Sequence, residues 1–233
     1  MTAPVSLVVP TLNAATALAR TAASWMEGVA SGLVCELVIA DGGSTDATLE
    51  VAETLGAVVV SGPPGRGQQL IAGAAAAKGA WLLFLHADTA LSARWPEALA
   101  RHMADAEADT SGGVRAGYFH LRYDSAAPEA RWLERRAALR VRLMALPYGD
   151  QGLLIHRDHY TQLGGYRPLR LMEDVDLVRR IGRRGLAALG AEAITSADKY
   201  VRDGWRKRAW SNAWLLAQYL TGADPDRLAR RYR

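Results

Sequence analysis

The chain opens on a short apolar run, residues 5–9, that Pro10 ends. Behind it Leu18, Ala22, Trp25 and Val29 recur at helical spacing, which predicts a helix over residues 17–29. The pattern then repeats. A second apolar run covers residues 33–40, a short helical stretch carries Leu49, Ala52 and Leu55, and a third run covers residues 57–60. Gly62-Pro63-Pro64-Gly65-Arg66-Gly67 reads as a loop. A helix over residues 68–77 leads to a fourth run, residues 81–85, which ends on His86-Ala87-Asp88-Thr89. Strands alternating with helices in this way predict a mostly parallel sheet with helices on both faces. Ligands of such sheets bind at the carboxyl ends of the strands. Asn13, Asp41 and Asp88 fall there.

The second half is less regular. Alternation over residues 117–123 predicts a strand, and an arginine-rich helix covers residues 129–146 up to Pro147. Residues 152–155 read as a strand and residues 173–184 as a helix before Gly185. A last helix over residues 207–220 places Trp210, Trp214, Ala217 and Leu220 on one stripe. That stripe predicts docking, either closing the acceptor side of a site or forming a dimer seam; a peripheral membrane contact is the weaker use. No repeat or linker interrupts the chain, so residues 1–233 are expected to form one α/β domain. Within it, residues 1–98 would bind nucleotide, 99–198 would carry acceptor and catalytic groups, and 199–233 would form a basic helical end.

Composition narrows the classes. Half of the residues are hydrophobic and 22% are charged, which excludes a mostly disordered chain. The single cysteine, Cys35, excludes a disulfide framework and a cysteine-rich zinc module. No apolar run approaches the ~20 residues a bilayer span needs. The first segment lacks a basic stretch of the secretory type, so the cytoplasm is the expected address. Charge runs from net −4 in residues 1–98 through +2 in 99–198 to +6 in 199–233. The basic end is either a solvated tail or a surface for an anionic partner.

Two nucleotide motifs are excluded. No G-x-G-x-x-G opens the first turn, and Gln68-Gln69 stands where a P-loop needs Lys-Ser/Thr. Asp88 is different. A carboxylate at a strand end can hold Mg²⁺ or Mn²⁺ while phosphate oxygens complete the shell, although turn capping would use the same residue. In Asp41-Gly42-Gly43-Ser44-Thr45-Asp46 two glycines permit close backbone approach, and carboxylates and hydroxyls offer partners to a ribose or a base edge. Glu173-Asp174-Val175-Asp176 gathers three carboxylates at a helix start. The helix dipole favours them there, and like charges close together raise one pKa toward that of a general base. Gly164-Gly165-Tyr166 reads as a flexible approach loop.

These segments resemble the family 2 glycosyltransferases of the GT-A fold. Val8-Val9-Pro10-Thr11-Leu12-Asn13, Asp41 to Asp46, Gly65-Arg66-Gly67, Leu85 to Thr89 and Gly164 to Leu177 occur in the family's order. The compact form, with Gly149-Asp150-Gln151-Gly152, looks most like a bacterial subgroup found beside radical-SAM enzymes and linked to arsenosugar synthesis. The resemblance implies that Pro10, Thr11, Asn13 and Asp41 hold the base, usually uracil. It places Gly43, Ser44, Asp46 and Ala87 near the nucleotide, Arg66 near its phosphates and Asp88 on the metal. Asp174 would deprotonate the acceptor hydroxyl with Glu173 beside it, and attack opposite the diphosphate would invert the anomeric carbon. His86 stands where the family has an aspartate, either ligating Mn²⁺ or donating a hydrogen bond to the diphosphate. Asp150 and Gln151 are acceptor contacts or turn residues. The implied partners are a nucleotide sugar and an unidentified acceptor, with nucleic acid excluded and a homodimer allowed for.

Two rivals compete. A sugar nucleotidyltransferase shares the sheet and a metal aspartate but needs a glycine-rich basic loop after the first strand, where Pro10-Thr11-Leu12-Asn13 stands. A non-catalytic nucleotide-sugar-binding module would not need Glu173-Asp174.

Overall fold

Alternation within the first strands sets up the molecule's two cores. In the computed structural model, which describes residues 4–108 and 114–230, β1 (Val5–Thr11) turns Val5, Leu7 and Val9 to one side of the sheet and Val8 to the other. The chain continues through α1 (Ala15–Ala30), β2 (Val34–Asp41), α2 (Thr48–Thr54), β3 (Val58–Ser61), α3 (Arg66–Ala76) and β4 (Trp81–Phe84). β1, β2, β3 and β4 pair in parallel, as the sequence pattern predicts.

The rest of the chain extends the same sheet. It runs through β5 (Thr89–Leu91), α4 (Trp95–Ala108), β6 (Ala116–Tyr123), α5 (Pro128–Met144), β7 (Leu153–His156), α6 (Arg157–Gln162) and α7 (Glu173–Ile181). It ends with β8 (Leu186–Thr195), α8 (Asp198–Asp203), α9 (Trp205–Leu220) and α10 (Pro225–Ala229). The strand order is β3-β2-β1-β4-β7-β6-β8-β5. β7 lies antiparallel to β4 and β6, and β5 antiparallel to β8, while β6 and β8 are parallel. This is an α/β domain with a mostly parallel central sheet between helical layers.

On one side Leu18, Ala22 and Trp25 of α1, Ala52 of α2 and Trp95, Leu99 and Met103 of α4 pack on the strands. On the other lie Leu70 and Ala74 of α3 with Leu177 and Ile181 of α7. A third cluster joins Val175 and Val178 of α7 to Leu215 and Leu216 of α9 and Leu228 of α10. α9 therefore docks, but not by the face its tryptophans suggest. Leu215 and Leu216 are buried, whereas Trp210 and Trp214 point to solvent. The buried side runs through Arg208, Leu215 and Leu216, a less apolar stripe that the neighbouring surface selects and that periodicity alone does not single out.

Other expectations need correction. α7 stops at Ile181 because Gly182, at φ 72°, leaves the helix, and residues 183–185 form a 3₁₀ turn. Gly164-Gly165 is a packed turn: a Cβ on Gly165 would lie 2.8 Å from the Tyr160 ring, and the Tyr160 hydroxyl accepts the Tyr166 N–H at 3.0 Å. α4 and β8 carry no strong signal; β8 is built largely of alanine and leucine, and its pairing with β6 overrides weak strand propensity.

Gly28 marks the tightest contact between α1 and α4. A Cβ there would lie 2.4 Å from the ring of Trp95, which is fully buried. Gly28→Ala should lower stability by about 1–3 kcal/mol through overpacking, despite the better helix propensity of alanine. Urea denaturation measures it; equal or greater stability would mean the indole shifts freely.

Candidate active site

The carboxyl ends of β1 and β2 are stitched by their own loops. Asp41 is 1% exposed, and its carboxylate accepts the Thr11 hydroxyl at 3.0 Å, the Ser44 hydroxyl at 2.5 Å, and the N–H groups of Gly43 and Ser44 at 2.9 and 2.8 Å. Burial alone would raise its pKa, but these hydrogen bonds outweigh it and hold the group below the usual range. Asn13, at φ 49°, accepts the Thr45 N–H at 2.8 Å, and the Ser44 hydroxyl accepts the Asn13 N–H at 2.8 Å. Asp46 accepts from Ala15 and from both the N–H and the hydroxyl of Thr48, joining the starts of α1 and α2. Pro10 is half-buried at the end of β1. Ala87 packs into the core, and its carbonyl accepts the Thr21 hydroxyl at 2.7 Å. Gln69 carries no motif, yet its amide donates to the carbonyls of Thr11 at 2.6 Å and Ala40 at 2.9 Å, tying the two strand ends from beneath.

The start of α3 meets the start of α7. The Arg66 guanidinium forms a salt bridge with Glu173, which is 1% exposed. Burial raises the Glu173 pKa and the Arg66 charge opposes that rise. The approach requires glycine at position 67, where a Cβ would lie 2.4 Å from the Arg167 carbonyl and 2.6 Å from that of Leu169. Met172, at φ 65°, makes the turn into α7, a left-handed conformation costing about 1–2 kcal/mol. Beyond it the Asp174 carboxylate accepts the N–H groups of Gly149 and Val175, each at 2.7 Å. Asp176 points elsewhere, to Arg167 at 3.1 Å and Arg180 at 2.6 Å.

Arg66, His86, Asp88, Asp150 and Asp174 line one cavity of about 390 Å³. Gly149 fits between His86 and Asp174, since a Cβ would lie 2.5 Å from the imidazole Nε2 and 3.3 Å from the Asp174 carboxylate. Burial, with Arg66 beside it, lowers the His86 pKa to about 4 against the pull of Asp88 and Asp174, leaving a neutral ring at pH 7. Burial pushes Asp150 up to about 6; Arg140 opposes this, and the charges of Asp174 and Asp88 reinforce it. Among the described residues the enclosed Oδ1 of Asp150 has no hydrogen-bond partner. Gln151 does not reach this cavity: its amide donates to the Phe119 carbonyl at 3.0 Å and accepts from Arg140 at 2.9 Å.

Several cavity groups carry no sequence signal. Lys199 of α8 stands 3.8 Å from Asp88. Arg140 of α5 lies over the Tyr148 ring, 3.3 Å from its centroid, and α9 supplies Asn212 and Leu216 to the wall. Among the described residues no group of three His, Cys, Asp or Glu side chains converges as a metal cage. Asp88 with a neutral His86 instead leaves most positions of a bound cation to phosphate oxygens and water, as suits Mg²⁺ or Mn²⁺. The donor set fits such an ion.

A sequence profile of Glycosyl transferase family 2 matches residues 6–158, most of the chain and all four parallel strands at its start. The chain belongs to this family. Among solved structures, this family 2 chain resembles glucosyl-3-phosphoglycerate synthase from Mycobacterium tuberculosis in complex with Mn²⁺, UDP and glucosyl-3-phosphoglycerate. Identity is 24% and TM-score 0.53, over 83% of this chain and 70% of that one. The same synthase with Mg²⁺ and UDP gives 24% and 0.54, over 83% and 69%. S. aureus TarS gives 15% identity and TM-score 0.63, over 83% of this chain and 36% of that one. The chain thus spans about two thirds of the synthase and a third of TarS, and at these identities the likeness establishes the GT-A fold. Comparison with curated protein sequences gives no match.

The perturbed carboxyl of Asp150 makes a pH-dependent prediction for the metal-free protein. Folding raises its pKa from the ordinary 3.8 to about 6, so the folded state holds the proton more tightly. Its stabilising contribution is complete below about pH 4 and is lost as pH rises through 6. Asp150→Asn should therefore match wild type near pH 4 and exceed it by about 1–3 kcal/mol near pH 7.5. Urea melts in chelator read this directly, and parallel pH profiles would assign the effect elsewhere.

Proposed function

We propose that the chain is a metal-assisted, inverting transferase that moves a sugar from a nucleotide diphosphate, with UDP the expected nucleotide, to an acceptor hydroxyl. One observation carries the reading: Asp88, at the end of the parallel half of the sheet, and Asp174, at the start of α7, line the same cavity as Arg66. The bound synthase relatives, described with UDP and Mn²⁺ or Mg²⁺, support the donor and cation class.

Asp88 would hold the cation, with His86 as a further ligand suited to Mn²⁺ or as a hydrogen-bond partner of the diphosphate. When bound, the cation neutralises charge growing on the leaving diphosphate. Arg66, oriented by Glu173, adds a second positive group on that side. Asp174 would take the acceptor's proton. Its two backbone N–H partners fix the carboxylate, so that the base is in place before substrate arrives. Attack from the face opposite the diphosphate inverts the anomeric carbon. Pro10, Thr11, Asn13 and the Asp41–Asp46 turn would receive the nucleoside. With Asp41 committed to Thr11 and its own turn, the backbone and hydroxyls of that turn are the groups offered to it.

A second reading has its own observation. Asp150 has an enclosed oxygen without a partner among the described residues and a pKa raised to about 6, both fitting for a base. Asp174→Asn should reduce UDP release by ~10²–10⁴-fold and leave UDP affinity intact. Asp176→Asn should instead cost stability, because Arg167 and Arg180 lose their shared carboxylate. If Asp150→Asn abolishes turnover while Asp174→Asn turns over normally, the base is Asp150.

Asp88→Ala should remove metal-dependent UDP binding and leave the fold intact, as titration calorimetry with and without Mn²⁺ will measure. Unchanged affinity would take Asp88 out of the metal site. The sugar and acceptor are identified by UDP release across nucleotide sugars and acceptor classes, including the arsenosugar precursors of the narrower resemblance. Turnover of UTP plus sugar phosphate instead would assign a nucleotidyltransferase, and no product with any pair would favour a binding module.

A further inference from the structure

α5 and α9 turn one face inward and leave an apolar, basic face outward. Trp210 and Trp214 are 70% and 67% exposed and Leu143 63%, with Trp132 and Leu139 on the same outer side of α5. The same two helices carry exposed cations: Arg135, Arg136 and Arg142 on α5, Arg206 and Lys207 on α9. Carboxylates are nearly absent. α9 has none, and on α5 Glu134 is buried against Arg122 and Arg131, leaving Glu129 in the first turn. Arg136 already lies over the Trp132 ring, 4.8 Å from its centroid.

Each part of this surface matches one layer of a membrane boundary. Indole rings, apolar with one N–H donor, settle between headgroups and acyl chains. Arginine and lysine lay their stems along apolar surface and present charge to phosphates. The exposed Arg206 and Lys207, with no carboxylate on α9, are complementary to an anionic leaflet. We propose that the outward face of α5 and α9 docks the protein peripherally on an anionic lipid bilayer. Among the described residues no helix is long and apolar enough to cross a membrane, so the contact is interfacial. The same two helices wall the cavity, through Arg136 and Arg140 on one side and Asn212 and Ala213 on the other. Docking therefore holds the cavity beside the lipid surface.

Co-sedimentation of the chain with vesicles tests this. Binding is expected to phosphatidylcholine vesicles containing about 30% phosphatidylglycerol, with little to pure phosphatidylcholine and marked weakening at high salt. The pairs Trp210→Ser/Trp214→Ser and Arg206→Gln/Lys207→Gln should each lower the partition coefficient at least about tenfold. These positions are exposed, and unchanged thermal melts will show that both variants fold. No binding of the wild type to anionic vesicles, or unchanged binding by either variant, overturns the proposal. A wild-type dimer that the tryptophan variant converts to monomer assigns the face to a second copy, and overturns it equally.

Discussion

A carboxylate buried as deeply as Glu173 survives in its charged form only with a cation against it, and the Arg66 salt bridge is that compensation. The pair does more than neutralise a charge. Arg66 begins α3 and Glu173 begins α7, so the bond fixes the loop before α3 against the helix that carries Asp174. Gly67, pressed against the carbonyls of Arg167 and Leu169, lets the two segments come that close. Breaking the pair would leave Glu173 as an unpaired buried charge and free the loop bearing Arg66. The starts of α3 and α7 are thus held in register by one ion pair and one missing side chain.

The same arginine also bears on the cavity's imidazole. Its charge adds to burial in lowering His86 to about 4, which keeps the imidazole neutral and available as a ligand or acceptor. On the acid side, burial pushes Asp150 up to about 6, and the charges of Asp174 and Asp88 add to that rise. Two backbone N–H groups reach the oxygens of Asp174, whereas among the described residues one enclosed oxygen of Asp150 has no hydrogen-bond partner.

The first half of the chain was legible because its signals are local. Alternating Val5–Val9 and the Asp41–Asp46 turn each carry their strand ends and caps within a few residues, and the structure puts them where the pattern predicts. Asp174 was legible for the same reason, as part of a helix start. Lys199, Arg140 and Tyr148 were not, because they reach the cavity only through the packing of α5 and α8 on the sheet. Gln69 illustrates the limit. Its position excludes a P-loop, but that its amide bridges two strand ends depends on the parallel pairing of β1 and β2, which no short motif encodes. On α9 the sequence favours the stripe with the larger apolar side chains, while the neighbouring helix α7 accepts Leu215 and Leu216 instead.

His86 gains its meaning from this crowding. Gly149 presses between its ring and Asp174, and Asp88 follows two residues later. An aspartate at position 86 would bring a further negative charge to the cavity already shared by Asp88, Asp150 and Asp174, driving one of them to hold its proton more firmly still. A neutral imidazole keeps a lone pair for a cation or a donor for a phosphate and adds no charge. It also leaves Asp88 as the carboxylate on that turn, where in the proposed reading a divalent ion would rely on phosphate oxygens for more of its shell. Lys199, 3.8 Å from Asp88, supplies countercharge in the cavity itself.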